Sequence, residues 1–231
     1  NIEQTEGTKA NPVPFTTAAL QIEANSRLGY SAKTTMSAAQ GLYQAGLITY
    51  HRTDSLNLSN DALVSISTFI KQTFGENYLQ VRHFHTKDAS AQEAHEAIRP
   101  TNITQEIAGK NDYEKKLYQL IRTRTLATQM KNAIVAKTNV DIIPSEKPEL
   151  TFSAKGEVVV FDGFLKVYGK NKDTLLPQLN IGDQLTLHNL IAKQVYSKPP
   201  ARYTEGSLVK KLEELGIGRP STYASIINAI Q

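Results

Sequence analysis

The sequence predicts a mixed α and β protein with more than one domain. Apolar residues recur at helical spacing, between capping residues and glycines, as far as about residue 132. From Ile134 the spacing changes toward every second residue, which is typical of strands, and helical spacing returns after the stiff Lys198-Pro199-Pro200 break. We therefore predict a leading strand or linker (1–9), a helical domain (10–132), a β-rich segment (133–197) and the start of a second helical domain (198–231).

The capping pattern predicts three helices before residue 76. A Ser or Thr side chain can accept an N–H bond from the first turn, and glycine readily adopts the left-handed conformation that ends a helix. The expected N-caps are Thr16 or Thr17, Ser31 or Thr34, and Ser59, and the expected terminal glycines are Gly29, Gly46 and Gly75. The second helix carries an apolar stripe of Met36, Ala39, Leu42 and Tyr43.

Strands are predicted where branched and aromatic residues cluster between turn residues. The first, Leu47–Tyr50, follows the second helix, and helix, turn, helix and strand in this order resemble a winged-helix arrangement. A longer helix is expected from Tyr113 to about Lys131. Further strands are expected at 134–143, 150–154, 157–164 and 184–187, and further helices from Thr204 to Gly216 and from Ser221 onward.

Composition and charge exclude several classes of protein. With 40% hydrophobic and 21% charged residues, the chain is neither disordered nor fibrous. It has no apolar run of the ~20 residues that crosses a bilayer and no secretion signal at its start, so we expect a cytoplasmic location and no membrane anchor. The absence of cysteine excludes disulfides and thiolate chemistry. The net charge is +3 over 10–132, zero over 133–197 and +2 over 198–231, which favours an anionic partner for the helical parts.

The stretch from Leu47 to Ser55 has an unusual density of polar and ionisable residues at a predicted strand end. A phenol can attack phosphorus and leave again, so a tyrosine beside a fixed cation suits reversible phosphodiester exchange. Arg52 lies two residues after Tyr50, which puts both on one face of an extended backbone. Thr53, Asp54 and Ser55 would hold the turn or contact phosphates. The alternative is a half-buried strand tyrosine followed by a solvated turn.

Three blocks of the sequence, in the same order, resemble motifs of the type IA DNA topoisomerases. Residues 48–55 (ITYHRTDS) resemble the active-site motif, residues 91–100 (AQEAHEAIRP) the histidine-containing block, and residues 216–227 (GIGRPSTYASII) a segment after the arch. Residues 161–164 and 198–203 favour the bacterial topoisomerase I branch of that family. The resemblance covers the chain from about Pro14 to Gln231.

The resemblance implies a role for individual residues. Tyr50 would be the nucleophile that forms a 5′-phosphotyrosyl bond, Arg52 a clamp on the scissile phosphate, and His95 a donor to that phosphate or a neighbouring one. Tyr223 is a rival nucleophile, but its predicted helix would keep the hydroxyl packed. The implied DNA-binding residues are Thr35, Gln40, Thr53, Arg219, Ser221 and Thr222.

The resemblance also implies a function for the whole enzyme. It would relax negatively supercoiled DNA without ATP, acting as a monomer on a single-stranded segment in the bacterial nucleoid. The β-rich segment would belong to the hinged arch and residues 198–231 to the base domain. Mg²⁺ would bind an acidic cluster on a Toprim domain that nothing in this sequence matches. We therefore expect no metal on this chain, and no relaxation activity from the chain alone.

Two departures from the family pattern stand beside the motif. His51 replaces a hydrophobic residue and could change the local charge near neutral pH, and Gln44 stands where many relatives carry Glu. His83 and His85 lack the carboxylate neighbours of a metal site. Two other functions stay open at this stage: a non-catalytic winged-helix module that binds single-stranded nucleic acid, with Tyr50 stacking on a base, or a scaffold whose basic helices bind a protein.

Overall fold

The computed structural model describes residues 1–85, 95–169 and 173–230, and it confirms a mixed α and β protein. These residues form two compact units. The first contains residues 1–10, 132–162 and 173–202, and the second contains residues 11–131, 163–169 and 203–230. The division into functional domains made from the sequence stays a prediction.

The first unit is built on a three-stranded antiparallel sheet in the order β1-β2-β3. The strands are β1 (Ile2–Lys9), β2 (Ala133–Ile142) and β3 (Phe152–Phe161). Residues 1–9 are thus an integral strand, and Lys9 Nζ lies 2.6 Å from Glu157 Oε1 of β3.

Two strand predictions in this unit are wrong. The single strand β3 replaces the two predicted strands 150–154 and 157–164, because Gly156 pairs with Thr138 inside the ladder instead of turning the chain. A Cβ on Gly156 would lie 3.0 Å from the carbonyl oxygen of Thr174, so glycine allows that close approach. Residues 184–187 form no strand, because they are exposed and no described strand pairs with them.

The second unit is helical, and four of its helices begin after capping residues that the sequence predicts, Thr16, Ser31, Ser59 and Thr204. Its helices are α1 (Thr17–Leu28), α2 (Ala32–Gln44), α3 (Asn60–Phe74), α4 (Asp112–Gln129), α5 (Leu165–Tyr168), α6 (Glu205–Glu214) and α7 (Tyr223–Ala229). Thr16, Ser31 and Ser59 each accept an N–H bond from the first turn of their helix. α7 begins after the predicted Ser221, because Thr222 Oγ1 accepts the N–H bond of Arg219 and closes a turn there. None of the described helices is both long and apolar enough to cross a membrane.

The main hydrophobic core of this unit lies where α1, α2 and α4 meet. Tyr118 of α4 is fully buried, and its hydroxyl donates to the carbonyls of Asn102 and Gln105, at 3.0 and 3.1 Å. The largest other contributors are Phe15, Leu20, Leu42, Ile48, Ile98, Leu117 and Ile121. Ile48 and Ile98 are loop residues, so the core directly holds the loops that carry the polar motifs.

The predicted strand Leu47–Tyr50 is only an isolated antiparallel bridge between Ile48 and Pro100. Thr49 N–H donates to Arg99 and Thr101 N–H donates to Leu47, at 2.9 and 3.0 Å. Pro100 has no N–H to donate. In the described part of this unit no hairpin follows α2, so the expected winged-helix strand is wrong although its helices are correct.

Helix α6 packs on α1, and α7 packs on α2 and α6. Gly206 N–H donates to Asn25 Oδ1 at 3.2 Å, and a Cβ on Gly206 would lie 3.0 Å from that oxygen, so glycine permits the close packing. Glu205 Oε2 accepts the N–H bond of Ala32 at 2.7 Å, which connects α6 to the start of α2. A second apolar cluster joins Ala18, Val209, Tyr223 and Ile227.

Candidate active site

A cleft of about 590 Å³ lies in the second unit and brings together most of the predicted site residues. Its lining consists of Tyr43, Tyr50, Arg52, Thr53, Asp54, His95, Arg219, Pro220 and Ser221. These residues come from the end of α2, the loop after it, the His95 segment and the loop between α6 and α7. The three sequence blocks that carry the resemblance therefore contribute to a single cleft.

Side chains alternate between the cleft and the interior along residues 50–55. Tyr50 is partly exposed and Arg52 is exposed, whereas His51 and Thr53 are buried. Tyr50 and Arg52 both line the cleft, as their spacing predicts. Among the described residues neither the Tyr50 hydroxyl nor the Arg52 guanidinium has a hydrogen-bond partner. Both groups are therefore available to a ligand.

The loop is fixed by Thr17, the first residue of α1, which is fully buried. Its hydroxyl donates to the carbonyl of His51 at 2.9 Å and accepts the N–H bond of Thr53 at 2.9 Å. The carbonyl oxygen of Thr53 lies 3.1 Å from the same hydroxyl. Its own N–H donates to the carbonyl of Thr53 at 2.8 Å. Arg52 is thus held between two anchored residues. The sequence suggested only a capping role for Thr17, and Thr16 fills that role.

His95 reaches Tyr50 because the segment that follows it is bonded to Thr49. Thr49 Oγ1 donates to the carbonyl of Ala97 at 2.8 Å and accepts the N–H bond of Arg99 at 2.9 Å. The rings of Tyr50 and His95 have centroids 4.9 Å apart. His95 is exposed, and residues 91–94 of its block lie outside the described residues.

Tyr43 and His51 complete an aromatic cluster around Tyr50. The ring centroids of Tyr43 and Tyr50 are 5.3 Å apart at an interplanar angle of 69°, an edge-to-face arrangement. His51 lies 5.4 Å from Tyr50 and 5.6 Å from Tyr43. The sequence placed Tyr43 on an apolar stripe of α2, yet it is 42% exposed and lines the cleft.

His51 does not supply the charge near neutral pH that the sequence suggested. It is 4% exposed, and neither ring nitrogen has a hydrogen-bond partner among the described residues. Burial, with a smaller contribution from the positive charge of Arg52, lowers the pKa of His51 to about 4. The imidazole is therefore neutral at pH 7 and occupies this position as an uncharged ring.

A further part of the cleft lining comes from the loop between α6 and α7. Gly218 has φ +86°, and the Arg219 guanidinium donates to the carbonyl of Gly218 at 2.8 Å, which orients an otherwise exposed side chain. The Thr222 hydroxyl donates to the carbonyl of Arg219 at 3.2 Å as well as accepting its N–H bond. Arg52 and Arg219 give the cleft two cations, against the single carboxylate of Asp54 in its lining.

Four of the predicted DNA-binding residues lie elsewhere or have structural contacts. Thr35 is fully buried and its hydroxyl donates to the carbonyl of Ser31 at 2.9 Å, so its side chain is not available to a bound strand. Thr53 is buried, and its hydroxyl accepts the N–H bond of Ser55 at 3.0 Å. Gln40 is exposed on α2, and Thr222 is exposed in its turn, but neither lines the cleft.

Tyr223 is poorly placed as a rival nucleophile. It is buried in α7 against Ala18 and Val209, and burial raises the pKa of its hydroxyl. The ring is packed, as its position in a helix predicts. Within the described residues, neither of the cleft tyrosines Tyr43 and Tyr50 has a hydrogen-bonded hydroxyl, and Tyr50 is the one that lies two residues from Arg52 on the same loop.

The cleft does not fit a magnesium ion by itself. Mg²⁺ takes oxygen ligands in octahedral geometry and is commonly bound through carboxylates. Within residues 1–85, 95–169 and 173–230, no three His, Asp or Glu side chains form a group that could hold a metal ion. Asp54 is the one carboxylate among the described residues that line the cleft.

Comparison with known proteins gives one consistent result. A family model described as DNA topoisomerase matches residues 1–231. DNA topoisomerase 1 of Vibrio cholerae is 48% identical over 225 residues, which are 94% of this chain and 25% of that protein. DNA topoisomerase 1 of Campylobacter jejuni is 46% identical over 245 residues, covering 100% of this chain and 35% of that protein.

The fold agrees with the same group of proteins. The structure of full-length topoisomerase I from Thermotoga maritima superimposes with a TM-score of 0.84 at 36% identity, over 100% of this chain and 39% of that chain. This chain thus spans between about a quarter and two fifths of the length of the proteins it matches.

The Thr17 contacts generate a stability prediction. Thr17→Val keeps the shape of the side chain but leaves the Thr53 N–H and the His51 carbonyl without their partner in the interior. We expect the free energy of unfolding to fall by about 1–3 kcal/mol, the cost of unpaired buried groups. Urea unfolding followed by circular dichroism measures it. Thr17→Ser retains the hydroxyl and is the control; equal losses in the Val and Ser variants would contradict the role of the hydrogen bonds.

The buried imidazole of His51 generates a pH prediction. Because its pKa is about 4 in the folded protein and 6.5 when exposed, the unfolded state binds more protons between those values. The free energy of unfolding should therefore fall as the pH falls from about 6.5 through about 4. His51→Met should flatten this dependence in urea titrations at constant ionic strength.

His83→Met is the matched control for the substitution itself, since His83 is an exposed histidine of the same unit. Parallel curves for the wild type and the His51→Met variant would show that His51 does not pass from protonated to neutral on folding.

Proposed function

The chain belongs to the type IA DNA topoisomerase family, and we propose that it carries the nucleophile of an enzyme that cuts and rejoins one DNA strand. One arrangement above all supports this proposal. Tyr50 presents a hydroxyl that has no hydrogen-bond partner among the described residues, in a cleft that it shares with Arg52, His95 and Arg219. A phenol beside fixed cations is the arrangement that reversible attack on a phosphodiester requires.

In the proposed reaction, the Tyr50 oxygen attacks the phosphorus of a backbone phosphodiester. The phosphorus–oxygen bond to the 3′ side breaks as the bond to Tyr50 forms, so the phosphate stays on the 5′ end as a tyrosyl ester. The phenol loses its proton and the departing 3′ oxygen gains one. The reverse attack by the 3′ hydroxyl restores the strand, and because one phosphodiester replaces another, no ATP is needed.

Each neighbour has a role that its position supports. Arg52, two residues from Tyr50 and without a carboxylate partner among the described residues, would hold the non-bridging oxygens where negative charge develops. His95, whose ring contacts that of Tyr50, would donate a hydrogen bond to the same phosphate or the next one. Arg219 and Ser221, which line the same cleft, would also contact the strand.

The rest of the activity would depend on parts of the enzyme outside this chain. We assign Mg²⁺ to a Toprim domain of the same polypeptide, because the described residues provide no carboxylate set for it. We assign residues 133–197 to the arch and residues 198–231 to the base domain. The whole enzyme would be a monomeric isomerase that relaxes negatively supercoiled DNA at single-stranded segments in the bacterial cytoplasm.

The proposed reaction predicts the effect of removing the nucleophile. In the full-length enzyme, Tyr50→Phe should abolish the covalent protein–DNA adduct and leave the affinity for single-stranded DNA within a few fold, because it removes the hydroxyl and keeps the ring. Adduct formation is measured on a labelled oligonucleotide after denaturation. Tyr223→Phe is the control and should retain the adduct. An adduct that persists in Tyr50→Phe would overturn the assignment.

The second prediction separates catalysis from binding at Arg52. Arg52→Ala should slow cleavage and rejoining by about 2–4 kcal/mol in activation free energy, the scale for one preorganised donor to a developing charge. DNA affinity should fall much less, because several other groups contact the strand. Arg52→Lys retains the charge but loses the planar two-point contact, so we expect it to remain impaired. Single-turnover cleavage and fluorescence anisotropy at matched salt measure the two effects.

Lys33→Ala provides the matched control for loss of a positive charge. Lys33 is exposed on α2 and does not line the cleft, so its replacement should leave the rate of cleavage unchanged. If Arg52→Ala weakens binding as much as it slows cleavage, Arg52 only binds DNA. That outcome would contradict the proposed catalytic role of Arg52.

A further inference from the structure

We propose that Tyr43 stacks on an unpaired nucleobase beside the phosphate that Tyr50 attacks. This inference rests on the proposed function of the cleft and assigns a residue that contributes to the selection of single-stranded substrate. The motifs that carry the family resemblance do not include Tyr43. The proposed role follows from the position of its ring in the structure.

The position of Tyr43 on α2 is unusual for a residue of an apolar stripe. Met36, Ala39 and Leu42 of that stripe are buried in the core, whereas 42% of Tyr43 is exposed. The exposed part of the ring lines the cleft together with Tyr50 and Arg52. A large aromatic surface left open in a polar cleft is a surface that a flat apolar ligand can cover.

The ring is already held in place before any ligand binds. Tyr50 contacts it edge to face at 5.3 Å, and His51 lies 5.6 Å away at 44°. Both neighbours belong to the loop that Thr17 anchors. Because the ring needs little further ordering, stacking on it costs less side-chain entropy than stacking on a free tyrosine.

The charges around the ring favour a nucleotide as the occupant. Arg52 and Arg219 line the same cleft and match phosphate groups, while Tyr43 provides the only large aromatic face of the cleft besides the Tyr50 ring among the residues described. Cationic grooves with aromatic platforms are typical of proteins that bind single strands. In a duplex both faces of each base are covered by its neighbours, so a stacking platform at this position selects a base that has left the stack.

The alternative role for Tyr43 is to orient Tyr50 through the ring contact alone. The two roles differ in what they affect. A stacking residue contributes to DNA affinity and depends on one particular base of the substrate. An orienting residue changes the rate of cleavage and is indifferent to the removal of a base.

The experiment measures affinity without chemistry, in the full-length protein with Tyr50→Phe. Single-stranded oligonucleotides with one mapped cleavage site carry an abasic residue at each position around that site in turn. Tyr43→Ala should weaken binding of the intact strand by about 5- to 100-fold, the range for losing one base stack. One abasic position should weaken binding to a similar extent, and it should have no further effect in the Tyr43→Ala variant.

Three further variants make the result specific. Tyr43→Phe retains the ring and should bind as the parent does, whereas Tyr43→Leu retains apolar bulk without the aromatic face and should bind as weakly as the Ala variant. Tyr113→Ala is the matched control, because Tyr113 is 58% exposed, packs on Tyr30 at the same 5.3 Å, and lies outside the cleft. It should leave affinity unchanged.

Several results would overturn the proposal. Unchanged affinity in Tyr43→Ala or full affinity in Tyr43→Leu would each do so. The same holds if an abasic residue at every position weakens binding of the Tyr43→Ala variant as much as it weakens binding of the parent. Failure of the proposed enzymatic function would be distinct, because it would show as the absence of a Tyr50 adduct in the wild type. The binding measurements do not depend on that adduct.

Discussion

The hydrogen bonds of Thr17 are the constraint on which the cleft depends. One buried hydroxyl and one backbone N–H, both at the start of α1, satisfy polar groups on both sides of Arg52. Without them the loop would have to leave those backbone groups unpaired in the interior or move toward water, since buried N–H and C=O groups need partners. The same contacts fix which residues of the loop face inward, and the alternation of the backbone then directs Tyr50 and Arg52 outward.

This arrangement explains how reactive groups can remain unbonded in a well-packed unit. His51, Thr53 and Ser55 fill the interior and hold the backbone, so the outward side chains have no structural task. A donor that is already in position stabilises developing charge without reorganising during the reaction. The neutral state of His51 is consistent with this arrangement. An uncharged ring can occupy a buried position beside Tyr50 without adding a buried charge.

Local features of the fold were predictable from the sequence, whereas long-range contacts were not. Thr16, Ser31 and Ser59 cap their helices as expected, because capping depends on residues within one turn. The approach of His95 to Tyr50 depends on the hydrogen bond between Thr49 and Ala97. These two residues are distant in the sequence, so the spacing of apolar residues does not predict that bond. The resemblance supplied His95 and Arg219 as candidates, but it could not show that Thr35 is buried or that Tyr43 is exposed. Two adjacent threonines at the start of α1 were a signal for Thr17, since only one of them can be the cap.

Helix α1 also connects the two sides of the cleft. Thr17 contacts the loop that bears Tyr50, and the next residue, Ala18, packs with Tyr223 of α7, directly after the turn that presents Arg219. A few residues further along α1, Asn25 receives the N–H bond of Gly206 from α6. Because α1 packs on α2 and α6, and α7 packs on both of these helices, the four helices together set the separation between Tyr50 and Arg219. The width of the cleft is therefore a property of the helical unit itself, which a bound strand meets already formed.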